Sequence, residues 1–165
     1  MRIIAGAIAL VVLFFAMPAA GFGLEKADMV VVVKSESKLY LKCDGQIISQ
    51  YHVVFGPDPQ GHKQQEGDGK TPEGRYVLDY KNANSDFYKS IHISYPSRAD
   101  RKRAARSGVD PGGEIMIHGQ KNGAGWLASI SKYFNWTQGC IAVSNRAMDE
   151  IWQAVDAGTS IEIKP

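Results

Sequence analysis

Residues Ile117–Val143 read IHGQKNGAGWLASISKYFNWTQGCIAV. A short apolar strand delivers His118-Gly119, and Thr137-Gln138-Gly139-Cys140 leads into a second apolar run. The histidine and the cysteine lie 22 positions apart, and they can meet if both sit at strand ends. A thiol beside an imidazole is an activated nucleophile, so the pair is a candidate for acyl-transfer chemistry. Cys140 would attack and His118 would manage its protons.

The segments outward from this stretch set the fold class. Upstream lie a delivering strand over Glu114–His118 and an alternating one over Ser90–Tyr95, then Arg75–Tyr80. Further back, Lys38–Lys42 and Gln46–Phe55 flank Asp44-Gly45 as a hairpin, and Met29–Lys34 is a β-branched run. Ser160–Lys164 closes the chain as a last strand. Two helices are expected. Ser97 caps one over Arg98–Arg106, stopped by Gly108. Ser144 or Asn145 caps the other, whose Met148, Ile151, Trp152 and Val155 form a core stripe. A short helix is also expected within residues 120–135. About seven strands without regular strand–helix alternation predict a mainly β fold with peripheral helices (α+β), a β-sandwich or open barrel.

The 165-residue length suits one domain, and 22% charged residues against 44% hydrophobic ones suit a soluble globular one. The first 23 residues depart from that balance. Arg2, the apolar run Ile3–Phe15 and the small residues after it read as a secretory signal, leaving 24–165 as a single catalytic domain. The apolar run is short for a bilayer span, so export to the periplasm or cell envelope is expected rather than anchoring. Loss of Arg2 lowers the formal charge from +2 to +1, which does not argue for a nucleic-acid partner. The basic helix around Arg98, Arg101, Lys102, Arg103 and Arg106 reads first as a solvated face. Cys43 and Cys140 are the two cysteines, and in an exported chain a disulfide between them is the competing reading.

The Gly/Pro-dense segment Gly56–Gly74 is predicted to be a long ordered loop or a mobile flap. Its Gly69-Lys70-Thr71 is not a nucleotide-binding loop, because Gln64 stands where a glycine is needed and Pro72 follows. Lys70–Gly74 is expected only to turn the chain into the next strand. His52, His62, His92 and His118 share no metal-ligand spacing with one another or with the cysteines, so no metal is expected. Gly119 leaves room beside His118, although a histidine there serves structure as readily as chemistry. Gly139 permits a backbone conformation closed to other residues and clears space around the sulfur. Nearby backbone N–H groups can face a developing oxyanion, while Thr137 bonds within the turn or to substrate.

The pairing of IHG with TQGC, preceded by GDGKTPEGRY, resembles the L,D-transpeptidase catalytic domain family (YkuD-like) of bacterial cell-wall enzymes over roughly Val30–Pro165. WTQGCIAVSN, SIHISYPSRAD and the PGG before IHG are similar to its small, single-domain periplasmic murein members. The resemblance implies Cys140 as nucleophile and His118 as general base. Gly119, Thr137, Gln138 and Gly139 become supporting, oxyanion or substrate positions, and no cofactor is implied. It further implies peptidoglycan stem peptides as substrates, a wall-linked protein as a further acceptor or substrate, and carbapenem binding at the thiol. The family's usual arginine two positions past the cysteine is Ala142 here, which leaves donor and acceptor open. A hydrolase acting on diaminopimelate-linked bonds uses the same two residues. A non-catalytic wall-binding domain with a Cys43–Cys140 disulfide is the reading of another class. Oligomeric state is not encoded in any motif of the chain.

Overall fold

Alternation of side chains builds the first elements of the computed structural model, which describes residues 25–123 and 134–165. Strand β1 (Met29–Val33) buries Val30 and Val32, and β2 (Lys38–Cys43) buries Leu39 and Leu41 against them. Between them a single 3-10 turn, Lys34–Glu36, reverses the chain. Asp44 and Gly45 both take positive φ (49° and 78°), the paired geometry of a tight hairpin turn, and deliver β3 (Gln46–His52). After the long loop come β4 (Gly74–Asn82), β5 (Ser90–Ile93), helix α1 (Arg98–Ser107) and β6 (Met116–His118). Then follow β7 (Ile141–Ala142), helix α2 (Asn145–Ala154) and β8 (Thr159–Lys164).

Helix α1 starts where Ser97 and Asp100 cap each other's backbone and ends at left-handed Gly108. Helix α2 is capped by Ser144, whose hydroxyl accepts from the Ala147 N–H at 3.1 Å. Its Met148, Ile151 and Val155 are fully buried, so the apolar stripe is core, as expected.

The strands form one sheet in the order β3-β2-β1-β8-β4-β5-β6-β7. β1 and β8 run parallel, as do β6 and β7, and the other neighbours are antiparallel. The described residues thus hold eight strands, one more than expected, because the run at Ile141–Ala142 pairs as a strand of its own. Val54, just past β3, exchanges both backbone hydrogen bonds with Ala142 of β7, at 3.0 and 2.9 Å. The first and last strands of the order are thereby drawn together, and the sheet curls into an open barrel. The export signal, and residues 124–133 of the expected helix before Asn135, lie outside the described residues.

Candidate functional site

Pairing of β6 with β7 brings the two chemically interesting residues together. Ile117 lies opposite Ile141 and His118 opposite Ala142, and both isoleucines are fully buried in the core. Side chains alternate, so His118 on β6 and Cys140, the residue just before β7, project to the opposite face, offset by one pleat. Both line an open cleft of about 910 Å³, with Thr137 and Gln138 on its wall.

His118 is 4% exposed. Its Nδ1 lies 2.7 Å from the Gly119 carbonyl. A carbonyl only accepts, so Nδ1 carries the hydrogen and Nε2 keeps a lone pair. Phe87 and Trp136 stand against the ring, with centroids at 4.7 and 5.6 Å. Burial pushes the imidazole below its ordinary pKa, and the bond to Gly119 offsets only part of this. Gly119 is required for a reason different from the one expected. A Cβ there would meet Asn145 Oδ1 at 2.7 Å and Tyr88 Cβ at 2.9 Å, so protein atoms fill the space that was assigned to substrate.

The Cys140 thiol donates to the Glu114 carbonyl at 3.5 Å and accepts from the Met116 N–H at 3.4 Å. Burial raises its pKa, while the Met116 N–H and Lys63 pull it down. Glu114 itself holds φ of 53°, a conformation that non-glycine residues seldom adopt. The chain is therefore bent at the residue whose carbonyl parks the thiol. Thr137 bonds within the turn: its hydroxyl donates to the Cys140 carbonyl at 2.8 Å and accepts from the Gly139 N–H at 3.2 Å.

The loop Gly56–Gly74 is ordered and docks on this turn. Thr71, fully buried, donates its hydroxyl to the Gly139 carbonyl at 2.8 Å. Gly139 has φ of 113°, and a Cβ there would fall 2.4 Å from the Lys70 carbonyl. The space that a side chain at position 139 would need is thus taken by loop backbone. Lys70–Gly74, expected only to turn the chain, in fact braces the cysteine turn. Buried Lys34 ties the loop down through Glu73 at 2.6 Å and the Gly61 carbonyl at 2.7 Å. His62 ties it to α1, because Nδ1 accepts from the Glu73 N–H at 3.0 Å and Nε2 faces Asp100 at 3.1 Å. His62 is therefore a strut. His92 pairs with Asp79 at 2.6 Å and stacks on Tyr80.

Sequence reasoning missed two groups. Lys63 is buried, lines the cleft and acts on Cys140 from the loop. Asn135 accepts from the Phe55 N–H at 3.0 Å, which gives that side chain a structural duty. Cys43 and Cys140 are both free thiols, so the alternative disulfide is not formed. Ala142 is 1% exposed and sits between His118 and Val54 in the barrel seam, a position closed to a guanidinium.

The described residues thus form a curled sheet that presents a thiol and an imidazole in one cleft. The L,D-transpeptidase catalytic domain (YkuD) model matches residues 27–163, and the chain belongs to that family. It is 32% identical over 121 residues to YafK of Escherichia coli (strain K12), provisionally named an L,D-transpeptidase, covering 71% of this chain and 42% of that protein. Pgp2 of Campylobacter jejuni, a helical cell shape determining protein, superposes with a TM-score of 0.63 at 27% identity over 83% of this chain and 48% of its own. An L,D-transpeptidase of Mycobacterium tuberculosis H37Rv shares the fold, with a TM-score of 0.54 at 15% identity over 83% and 57%. The chain therefore spans about half the length of these relatives or less.

Proposed function

We propose that the chain forms a thioester on Cys140 from a peptidoglycan stem peptide and passes the acyl group to an amine. His118 Nε2 takes the thiol proton as sulfur attacks the carbonyl at the L-centre of diaminopimelate. The imidazolium then protonates the departing amine, D-alanine in the usual donor. The oxyanion of the tetrahedral intermediate is met by the backbone N–H of Cys140, in the turn that Thr137 holds in shape through the Gly139 N–H. The acceptor amine next gives its proton to Nε2 and attacks the thioester, and the thiol is restored. Gln138 on the cleft wall contacts substrate, and Gly119 keeps the His118 strand against α2.

The observation that carries this reading is the His118 tautomer. Its Nδ1–H is committed to the Gly119 carbonyl, and the basic nitrogen is left in the cleft that Cys140 lines. Residues 1–23 are read as an export signal that delivers residues 24–165 to the periplasm, where stem peptides and wall-linked proteins are the available partners. No helix among the described residues is long and apolar enough to cross a membrane.

The test is product analysis with a diaminopimelate-containing tetrapeptide, with and without an amine acceptor, following the enzyme by intact mass. The expected result is an acyl adduct on Cys140 and a product that incorporates the amine. Cys140→Ala abolishes both and keeps the melting temperature, whereas Cys43→Ala changes neither. Hydrolysis alone at every acceptor concentration would overturn transfer in favour of a hydrolase. Equal loss of activity in both cysteine variants would overturn the nucleophile.

A further inference from the structure

Two buried lysines hold the loop Gly56–Gly74, and they differ in one respect. An ammonium has three N–H donors. Lys34 Nζ faces three oxygens: it donates to the Gly61 carbonyl at 2.7 Å and the Thr71 carbonyl at 3.5 Å, and it forms an ion pair with Glu73 Oε1 at 2.6 Å. Lys63 Nζ has two, the Gln65 carbonyl at 3.0 Å and Asp68 Oδ1 at 2.9 Å. Among the described residues one donor of Lys63 is therefore uncommitted, although its side chain is 3% exposed.

Asp68 does not cancel this charge. Its carboxylate also accepts from the backbone N–H groups of Gln64 at 2.7 Å, Gln65 at 3.1 Å and Lys70 at 3.0 Å. Three N–H dipoles already meet the anion, and the Lys63 charge is only partly compensated. Lys63 lines the same cleft as Cys140, Gly112 and Glu114. Among the described residues, the other charged ones that line it, Glu66, Asp86, Glu114 and Lys121, are exposed. Of these described cations, a carboxylate entering beside the nucleophile would meet one that is shielded from water, Lys63, on a loop braced by its own hydrogen bonds.

We propose that Lys63 binds a carboxylate of the acyl donor, making the site selective for stem peptides with a free carboxylate close to the bond that is cut. The role deepens the transfer reaction proposed above and rests on it for the identity of the donor. It also gives the cleft the cation that position 142, buried in the seam, does not supply. Two carboxylates of the donor qualify: the C-terminal one on the leaving D-alanine and the one at the D-centre of diaminopimelate. Both present the same anion to the same ammonium.

The test uses binding, so that it does not depend on turnover. Cys140→Ala protein is titrated calorimetrically with the tetrapeptide and with two analogues, one amidated at the C-terminus and one at the D-centre carboxylate. The tetrapeptide binds roughly ten- to hundred-fold more tightly than one analogue, which identifies the carboxylate that is read. Lys63→Met/Asp68→Asn in the same background removes both charges and binds all three peptides alike. Lys63→Gln, which keeps a donor for Asp68, gives the same result if the double variant does not fold. Equal binding of the three peptides to the Lys63 protein, unchanged discrimination in the variants, or no measurable binding at all overturns the proposal. Intact discrimination without acyl transfer by the Cys140 protein would remove the catalytic reading and leave the carboxylate site standing.

Discussion

Burial drives His118 and Cys140 toward their neutral forms, and this sets the pH behaviour expected of the pair. The imidazole is lowered from 6.5 and the thiol raised from 9.0, so neither is charged near neutrality. In the proposed reaction, proton transfer therefore accompanies attack instead of preceding it as a standing ion pair. His118 acts as a base only while unprotonated, and burial extends that form to lower pH. The rate of acyl-enzyme formation, as kcat/KM, should stay level as pH falls through about 6.5 and drop only below it. An acid limb centred above that value would contradict a buried neutral imidazole. In the other direction, alkylation of Cys140 by iodoacetamide should rise with a midpoint above 9.0.

At the scale of elements, the loop before β4 behaves as a brace. Its contacts with the cysteine turn are backbone to backbone: a Cβ on Gly139 would fall 2.4 Å from the Lys70 carbonyl, and one on Gly56 3.0 Å from that of Thr137. Thr71 adds a side-chain bond across the junction, to the Gly139 carbonyl at 2.8 Å. Thr71→Val keeps the shape, removes that donor and leaves a buried carbonyl unpaired. The expected cost is about 1–3 kcal/mol of stability, read as a lower melting temperature. Faster proteolysis within residues 56–74 should accompany it. An unchanged melt would show that the loop is held without the Thr71 bond.

Across the whole molecule, the seam between Val54 and β7 joins the beginning of the sheet order to its end. It is short, with the Val54 N–H donating to the Ala142 carbonyl at 3.0 Å and the reverse bond at 2.9 Å. Val54→Pro removes the first of these. The change should cost on the order of 1–3 kcal/mol or more, and it should lower acyl-enzyme formation because Cys140 immediately precedes β7. Ile47→Ser, on the exposed side of β3 where Ile47 is 59% exposed, should change stability by less than about 0.5 kcal/mol. A similar loss of activity in both variants would mean that the seam has no special hold on the site.

The sequence by itself determined what local rules can determine. Alternating valines and leucines, the Asp44-Gly45 turn, the Ser97/Asp100 cap and the stripe on α2 identified the elements, because each signal lies within a few residues. His118 and Cys140 were legible for the same reason, each marked by an adjacent glycine and an apolar run. The two-residue strand β7 was not, since a strand that short is defined by its neighbours. Nor was the duty of those glycines: Gly119 admits Asn145 and Tyr88, and Gly139 admits Lys70, residues distant in the chain. Lys63 was the least legible, one lysine in a polar loop with no periodicity around it. Only tertiary structure assigned its place, because two glycine-tight backbone contacts and two buried ion pairs fold that loop over the thiol.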